Sequence, residues 1–287
     1  MTERGIRGQE GENADSWGNY AKDYHNFIER GPPKVSAEQI LKSLDLVVPF
    51  ENASCILDNG CGTGIGTSRL IDLYSERLPS DVRIVAADLS PGMVEKVQQS
   101  VRDSPSGSLW KNVETSVCDI EDMSMFPDGT FTHIIASLVM FFASSPEKAF
   151  SEAFRILAPG GAFAMTCFTK NDYMELVSVV QDAVGGGATM PFMNKNWASE
   201  SWLLDQLAHA KFKNAVAKAT DVEVEVEDVH SFRQLFFNNP LMVEILKHVS
   251  AEGRERATQK FDSCLLKKAS AGSIKIFWTL LTLSAAK

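Results

Sequence analysis

Long apolar runs are scarce in this chain of 287 residues. The longest late one, Ile276 to Leu283, falls far short of the roughly 20 residues that a membrane-spanning helix needs, so it reads as a buried strand and no membrane partner is expected. Basic residues are also few. Lys and Arg number 28 against 37 Asp and Glu, leaving a formal charge of −9, and a field of that sign repels phosphate backbones and argues against nucleic acid. The five cysteines, Cys55, Cys61, Cys118, Cys167 and Cys264, form no C-x-x-C pair, so no zinc site is expected and no metal is assigned. The polar opening, residues 1–15, shows no basic segment followed by an apolar run, so a secretory leader is not expected and the opening reads as a mobile tail. Scattered cysteines, odd in number, then fit reduced thiols in the cytoplasm. What is present suffices for a globular core, with 44% apolar and 23% charged residues.

From Cys55 to Phe168 short apolar runs alternate with longer amphipathic stretches, the pattern of βαβ units around a buried parallel sheet. Strands are expected at Cys55–Asn59, Arg83–Asp88, Val113–Val117, Thr132–Ser137 and Ala162–Phe168, and helices at Gly66–Leu78, Pro91–Ser104 and Ser145–Leu157, the last ended by Pro159-Gly160-Gly161. Beyond Phe168 the rhythm loosens. The break at Gly185-Gly186-Gly187 leads into a stretch holding Phe192, Trp197 and Trp202, which reads as a loop over a site. Val222, Val224 and Val226 alternate with Glu223, Glu225 and Glu227, the period of a strand with one solvated face. Helical segments over 229–268 and a strand over Ile274–Ser284 complete the chain.

The sharpest local signal is Ile56-Leu57-Asp58-Asn59-Gly60-Cys61-Gly62-Thr63-Gly64, a buried strand running into a glycine-rich turn before a helix. Glycines there permit positive φ and let the backbone approach a ligand closely. The spacing is G-x-G-x-G, not the G-x-G-x-x-G of dinucleotide enzymes, and Asp58 would repel a pyrophosphate while suiting an ammonium. Asp88 ends the second strand, where a carboxylate can accept both hydroxyl hydrogens of a ribose. Leu89 and Met93 follow, with Met93 suited to pack on an adenine face, and Cys118-Asp119-Ile120 offers a carboxylate and a backbone amide to the adenine edge.

With those clusters, and with Ser90-Pro91-Gly92 and Arg155-Ile156-Leu157-Ala158-Pro159-Gly160-Gly161 beside them, the chain resembles the class I S-adenosylmethionine-dependent methyltransferases from Trp17 to Phe168. It looks most like their ubiquinone-biosynthesis-type branch and the related fungal secondary-metabolite enzymes. The resemblance implies an α/β fold with a Rossmann-like, mostly parallel seven-stranded sheet. It implies a helical lid over residues 16–50 and a methyltransferase domain over 51–287, with a helical cap near 229–268 inserted between the last two strands. It implies S-adenosylmethionine as cofactor, held by Asp58, Gly60, Cys61 and Gly62 at the methionine end, by Asp88 at the ribose, and by Leu89, Met93, Asp119 and Ile120 at the adenine. Two departures stand out: Phe131-Thr132-His133 where the branch often has Phe-Asp, and Lys211-Phe212 where Gly-Phe is common.

Trp17, Tyr20 and Tyr24 share one helix face, and Tyr24 is expected near the methionine carboxylate. A sulfonium methyl is already a good electrophile, so an enzyme of this kind must chiefly position the acceptor and exclude water. If a proton must leave a hydroxyl or thiol, His25 is the candidate base. His133 starts the fourth strand, away from its ligand-binding end, and reads as structural. Ser137, at the carboxyl end of that strand, is expected near the cofactor. Trp17, Met140, Phe141, Phe192, Trp197, Phe236 and Phe237 are expected to line an acceptor site for a small, largely apolar molecule. The expected activity is methyl transfer to a hydroxyl, thiol or amine by a monomer or homodimer. A cofactor-assisted cyclase and a non-catalytic binding subunit are the alternatives.

Overall fold

The computed structural model describes residues 15–28, 31–185, 195–226, 228–270 and 273–287. In chain order the first half contains α1 (Ser16–Ile28), α2 (Pro32–Val47), β1 (Cys55–Asn59), α3 (Ile65–Tyr74), β2 (Arg83–Asp88), α4 (Pro91–Asp103), β3 (Val113–Val117), β4 (Phe131–Ser137) and α5 (Pro146–Ile156). The second half contains β5 (Leu157–Asn171), α6 (Asp172–Ala183), α7 (Glu200–His209), β6 (Lys213–Val226), α8 (Val229–Asn238), α9 (Pro240–Leu246), α10 (Ala251–Leu266), β7 (Ala269–Ser270) and β8 (Ser273–Ala286).

All five residues of β1 are buried, which is why the strand reads as a continuous apolar run and why it occupies the centre of the sheet. The order is β3-β2-β1-β4-β5-β8-β6, with β7 paired only to β8. The first five strands of that order run parallel, and β8 joins both β5 and β6 antiparallel. Alternation along the central strands sends Ile56, Ile84 and Ile135 to one core with Leu41, Leu70 and Val97 of α2, α3 and α4. Leu57, Val85 and Ile134 face the opposite core, with Phe150 of α5 and Leu203 of α7. A third core, around Leu176, Phe232, Phe236 and Phe261, joins α6 to the inserted helices α8 and α10. Each fully buried Phe or Leu in these cores contributes roughly 1.5–3 kcal/mol.

The structure extends several expected elements. β5 begins at Leu157, opposite Phe131, and runs to Asn171, opposite Trp278 of β8, so Pro159-Gly160-Gly161 lies within the start of a strand rather than ahead of it. The antiparallel partner β8 accounts for the extension past Phe168, and the pairing of Leu157 with Phe131 of β4 accounts for the earlier start. α3 stops at Tyr74, and Ser75 to Leu78 form turns that bond back to Ile71 and Tyr74. β6 places Val222 inward and Glu223 and Glu225 outward, as its period requires. The Nζ of Lys287 donates to the carbonyls of Phe154, Arg155 and Leu157 at 2.7, 3.2 and 2.7 Å, closing the carboxyl end of α5 with a charge that suits it. No helix among the described residues is long and apolar enough to cross a membrane.

Candidate active site

β1 delivers its last residues into the glycine turn, where Gly60, Gly62 and Gly64 have φ of 72, 54 and 96°, values that favour glycine at each position. A Cβ on Gly60 would also lie 2.2 Å from Cγ2 of Val139, so the turn packs directly under the segment after β4. The N–H groups of Gly60 and Cys61 both donate to the Ala87 carbonyl, at 2.8 and 2.9 Å, fixing the turn to the end of β2.

Asp58 is 1% exposed, and its Oδ2 accepts from the backbone N–H and the hydroxyl of Thr67, both at 2.8 Å. A side chain at position 66 would collide with that carboxylate, whose Oδ2 lies 2.7 Å from the place of a Cβ on Gly66. Burial pushes the Asp58 carboxyl up to about 6, against the two bonds from Thr67 that pull it down. Beside it, Asn59 Nδ2 and Thr63 Oγ1 are buried with no hydrogen-bond partner among the described residues. Buried polar atoms are nearly always paired in proteins.

At the end of β2, Asp88 Oδ2 accepts the Gly62 N–H and Oδ1 accepts the Ser90 N–H, each at 2.9 Å. Burial raises its carboxyl above the usual range, and the negative charge of Asp15 adds to the rise. Asp15 itself bridges two helices. Its Oδ1 accepts from Gly18 N at 2.7 Å and from Ser90 Oγ at 2.6 Å, and its Oδ2 accepts from Gly92 N at 2.6 Å. The residue read as the last of a tail is therefore a cap of α1 and a link to the first turn of α4. Residues 1–14 lie outside the described residues. Leu89 is 55% exposed while Met93 is 2% exposed, so the first presents an uncovered apolar surface and the second sits beneath it. Cys118 donates its N–H to the Asp88 carbonyl at 3.0 Å, and Asp119 Oδ1 accepts from Glu121 N at 2.9 Å, which brings the end of β3 alongside. Ile120 is partly buried there.

α1 lies over this surface. Tyr24 Cε1 is 3.7 Å from the place of a Cβ on Gly62, and the Tyr20 hydroxyl donates to the Leu235 carbonyl of α8 at 3.0 Å. Trp17 meets Tyr20, Tyr24 and Phe142 edge-on, at centroid distances of 6.2, 6.3 and 5.7 Å. The aromatic contacts continue from Phe142 through Phe141 and Phe168 to Trp278 and Tyr173. Tyr24 joins this run of rings through Trp17 and through Tyr20, 5.8 Å away. Burial holds the Tyr24 and Tyr173 phenols well above their ordinary range, with Asp88 adding to the effect at Tyr24, so both remain protonated donors. At the carboxyl end of β4, Ser137 Oγ and Thr166 Oγ1 flank Ser36 Oγ at 2.8 and 2.6 Å. Thr166 Oγ1 also accepts the N–H of Leu138 at 3.0 Å. Leu138 has φ of 54°, a conformation rare for Leu, and this bond helps to hold it.

Other expected site residues are placed differently. Trp197 is 4% exposed and stacks on Phe150 at 6.0 Å, so it is core beneath α5 rather than pocket lining. Met140 is likewise fully buried in that core, while Phe141 joins the run of rings through Phe142 and Phe168. Phe236 is buried in the cap core, 4.8 Å from Tyr173 and 4.5 Å from Phe261, with the partly buried Phe237 beside it. Phe192 and the side chain of His25 lie outside the described residues, although the backbone of His25 belongs to α1. His133 stacks on Phe50 at 5.0 Å and its Nε2 donates to the Val48 carbonyl at 3.0 Å, a structural placement in which burial lowers its pKa. The groove lined by Arg83, Lys111 and Glu114 lies at the starts of β2 and β3, opposite the glycine turn. Asp15, Ser36, Thr166 and Tyr173 were not marked by any local motif, because what distinguishes them is long-range contact.

Residues 57–165 match a family model described as "Methyltransferase domain". Methyltransferase ucsB of Acremonium sp is 34% identical over 170 residues, 58% of this chain and 59% of that protein. Methyltransferase tpcH of Aspergillus fumigatus is 26% identical over 183 residues, 61% of this chain and 63% of that protein. The chain thus spans about three-fifths of the length of these curated relatives. Among solved structures, a phosphoethanolamine N-methyltransferase 2 of Haemonchus contortus, in complex with phosphomonomethylethanolamine and S-adenosylhomocysteine, superposes with a TM-score of 0.52. That likeness covers 87% of this chain and 52% of the other at 17% identity, and it shows the Rossmann-like fold alone.

Proposed function

We propose that this chain is a class I S-adenosylmethionine-dependent methyltransferase, a reading that the methyltransferase-domain match and the related proteins support, and that it transfers a methyl group from S-adenosylmethionine to a small, largely apolar acceptor held beneath α1. The observation that carries the reading is the pair of buried atoms, Asn59 Nδ2 and Thr63 Oγ1, that have no partner among the described residues, at a glycine turn flanked by Asp58 and Asp88. Donors without partners beside carboxylates match a zwitterionic amino-acid end, which brings its own acceptors and its own ammonium. The residues therefore fit the donor molecule.

In this reading Asp58 faces the ammonium, Asn59 and Thr63 pair with polar atoms of the methionine half, and the free lone pairs of Asp88 accept from ribose hydroxyls. Gly60, Cys61 and Gly62 let the backbone come close, Leu89 and Met93 offer apolar surface to the adenine, and Asp119 with Ile120 meets its edge. Tyr24 covers the turn and Ser137 borders the methionine side. When bound, S-adenosylmethionine supplies a methyl activated by its sulfonium. The protein's share is orientation and exclusion of water. Tyr24 and Tyr173, held protonated, act as donors, and His25 on α1 is the proposed base where an acceptor must lose a proton.

The related proteins named methyltransferases support transfer as the reaction. Incubation with methyl-labelled donor and a panel of phenols, thiols and amines tests it. A product heavier by one methyl group is expected, and an acceptor consumed with unchanged mass would overturn the proposal in favour of rearrangement.

A further inference from the structure

We infer that Tyr173 is the acceptor-recognition residue of this site, its hydroxyl donating a hydrogen bond to an oxygen of a flat aromatic acceptor. The inference rests on the methyl-transfer reading and names the substrate class that reading leaves open.

Tyr173 occupies the first turn of α6, and that turn is fixed from three sides. Asp172 Oδ2 accepts the Phe277 N–H of β8 at 2.7 Å, and Lys268 bridges Asp172 and Glu175 at 3.0 and 2.7 Å. The Tyr173 N–H itself is held by Asn171 Oδ1 at 2.9 Å. The ring consequently has little freedom. It lies 4.8 Å from Phe236 and 6.2 Å from Trp278, and its hydroxyl oxygen is buried with no partner among the described residues.

Burying a hydroxyl without a hydrogen-bond partner is unfavourable. A phenylalanine would fill the same space without that cost, so the oxygen calls for a use. Its position supplies one. Tyr173 follows β5, across β1 and its glycine turn from Asp88 at the end of β2, and a run of ring contacts links it through Trp278, Phe168, Phe141 and Phe142 to Trp17. No member of that run carries a charge at neutral pH, so an ionic acceptor finds no ion pair there. Aromatic walls meeting edge to face suit another aromatic ring, because the electron-poor ring edges meet electron-rich faces. A protonated phenol can only donate to the ligand's lone pairs, which selects an acceptor bearing a hydroxyl or carbonyl oxygen.

The test uses the full chain saturated with S-adenosylhomocysteine and titrated with 1-naphthol or with naphthalene, binding being read by fluorescence. Binding of S-adenosylhomocysteine is measured first, so that its absence would overturn the donor reading separately. The wild-type protein is expected to prefer 1-naphthol by about tenfold, the scale of one net hydrogen bond. Tyr173→Phe is expected to reduce that preference to less than about threefold, with S-adenosylhomocysteine affinity unchanged and a melting temperature equal to or above wild type. A wild-type protein that does not distinguish the two probes, or a Tyr173→Phe protein with the full preference, would overturn the assignment.

Discussion

Asp88 Oδ2 accepts the backbone N–H of Gly62 at 2.9 Å, so the carboxylate proposed to hold the ribose also holds the glycine turn in shape. Its two roles separate by substitution. Asp88→Ala is expected to weaken S-adenosylhomocysteine binding by about 1.5–3 kcal/mol, the scale of hydrogen bonds to a charged group, and to lower the melting temperature because the Gly62 and Ser90 amides lose their acceptor. Asp88→Asn keeps one carbonyl acceptor and should recover most of the stability while recovering less of the affinity. Calorimetry beside thermal melts reads both effects, and equal losses of stability in the two variants would contradict this division.

Asp15 links α1 to α4 through Gly18, Ser90 and Gly92. Asp15→Ala removes a helix cap and that link, and is expected to destabilise α1 by about 1–2 kcal/mol. Hydrogen exchange should rise across 16–28 and stay unchanged in β1 and β4, whose bonds do not involve the link. An exchange pattern in α1 identical to wild type would show that Trp17 and Tyr20 hold the helix unaided.

The three acids differ in how far the sequence disclosed them. Asp58 was legible because Gly60, Gly62 and Gly64 after it adopt positive φ, a backbone demand that writes itself into residue type within a few positions, and Asp88 because it ends a buried apolar strand. Asp15 was not, because its partner Gly92 is 77 residues away and nothing local separates a capping aspartate from one in a polar tail. The first five strands were legible as buried apolar runs, whereas the extension of β5 to Asn171 depended on pairing with β8 at the other end of the chain. Trp197 misled for a related reason. An aromatic residue after a glycine-rich break looks like pocket lining, yet its stacking on Phe150 is set by how α5 and α7 pack, which residue type alone does not encode. Tyr173 carries no local motif, and what sets it apart is a buried hydroxyl with no partner among the described residues.

Burial raises the Asp58 carboxyl to about 6 from an ordinary value near 3.8, and the sign of its effect on stability follows. Between those two pH values the folded chain binds more protons at this site than the unfolded chain, so stability attributable to Asp58 falls as pH rises through that window and is level above it. Asp88 is shifted the same way. Cofactor binding should run opposite, because an ammonium is attracted to the ionised carboxylate. S-adenosylhomocysteine affinity is therefore expected to increase from pH 5 to pH 7. Asp58→Asn should bind weakly and flatten most of that rise. A variant with the wild-type pH profile would place the titration elsewhere.

The most direct test of the central claim is a pair of calorimetric titrations of the purified full chain, one with S-adenosylhomocysteine and one with NAD. The G-x-G-x-G turn, with Asp58 buried behind it and unpaired donors on Asn59 and Thr63, predicts one-to-one binding of S-adenosylhomocysteine on the micromolar scale and no measurable heat of binding with NAD. Binding of NAD as tight as that of S-adenosylhomocysteine, or no binding of S-adenosylhomocysteine, would contradict it.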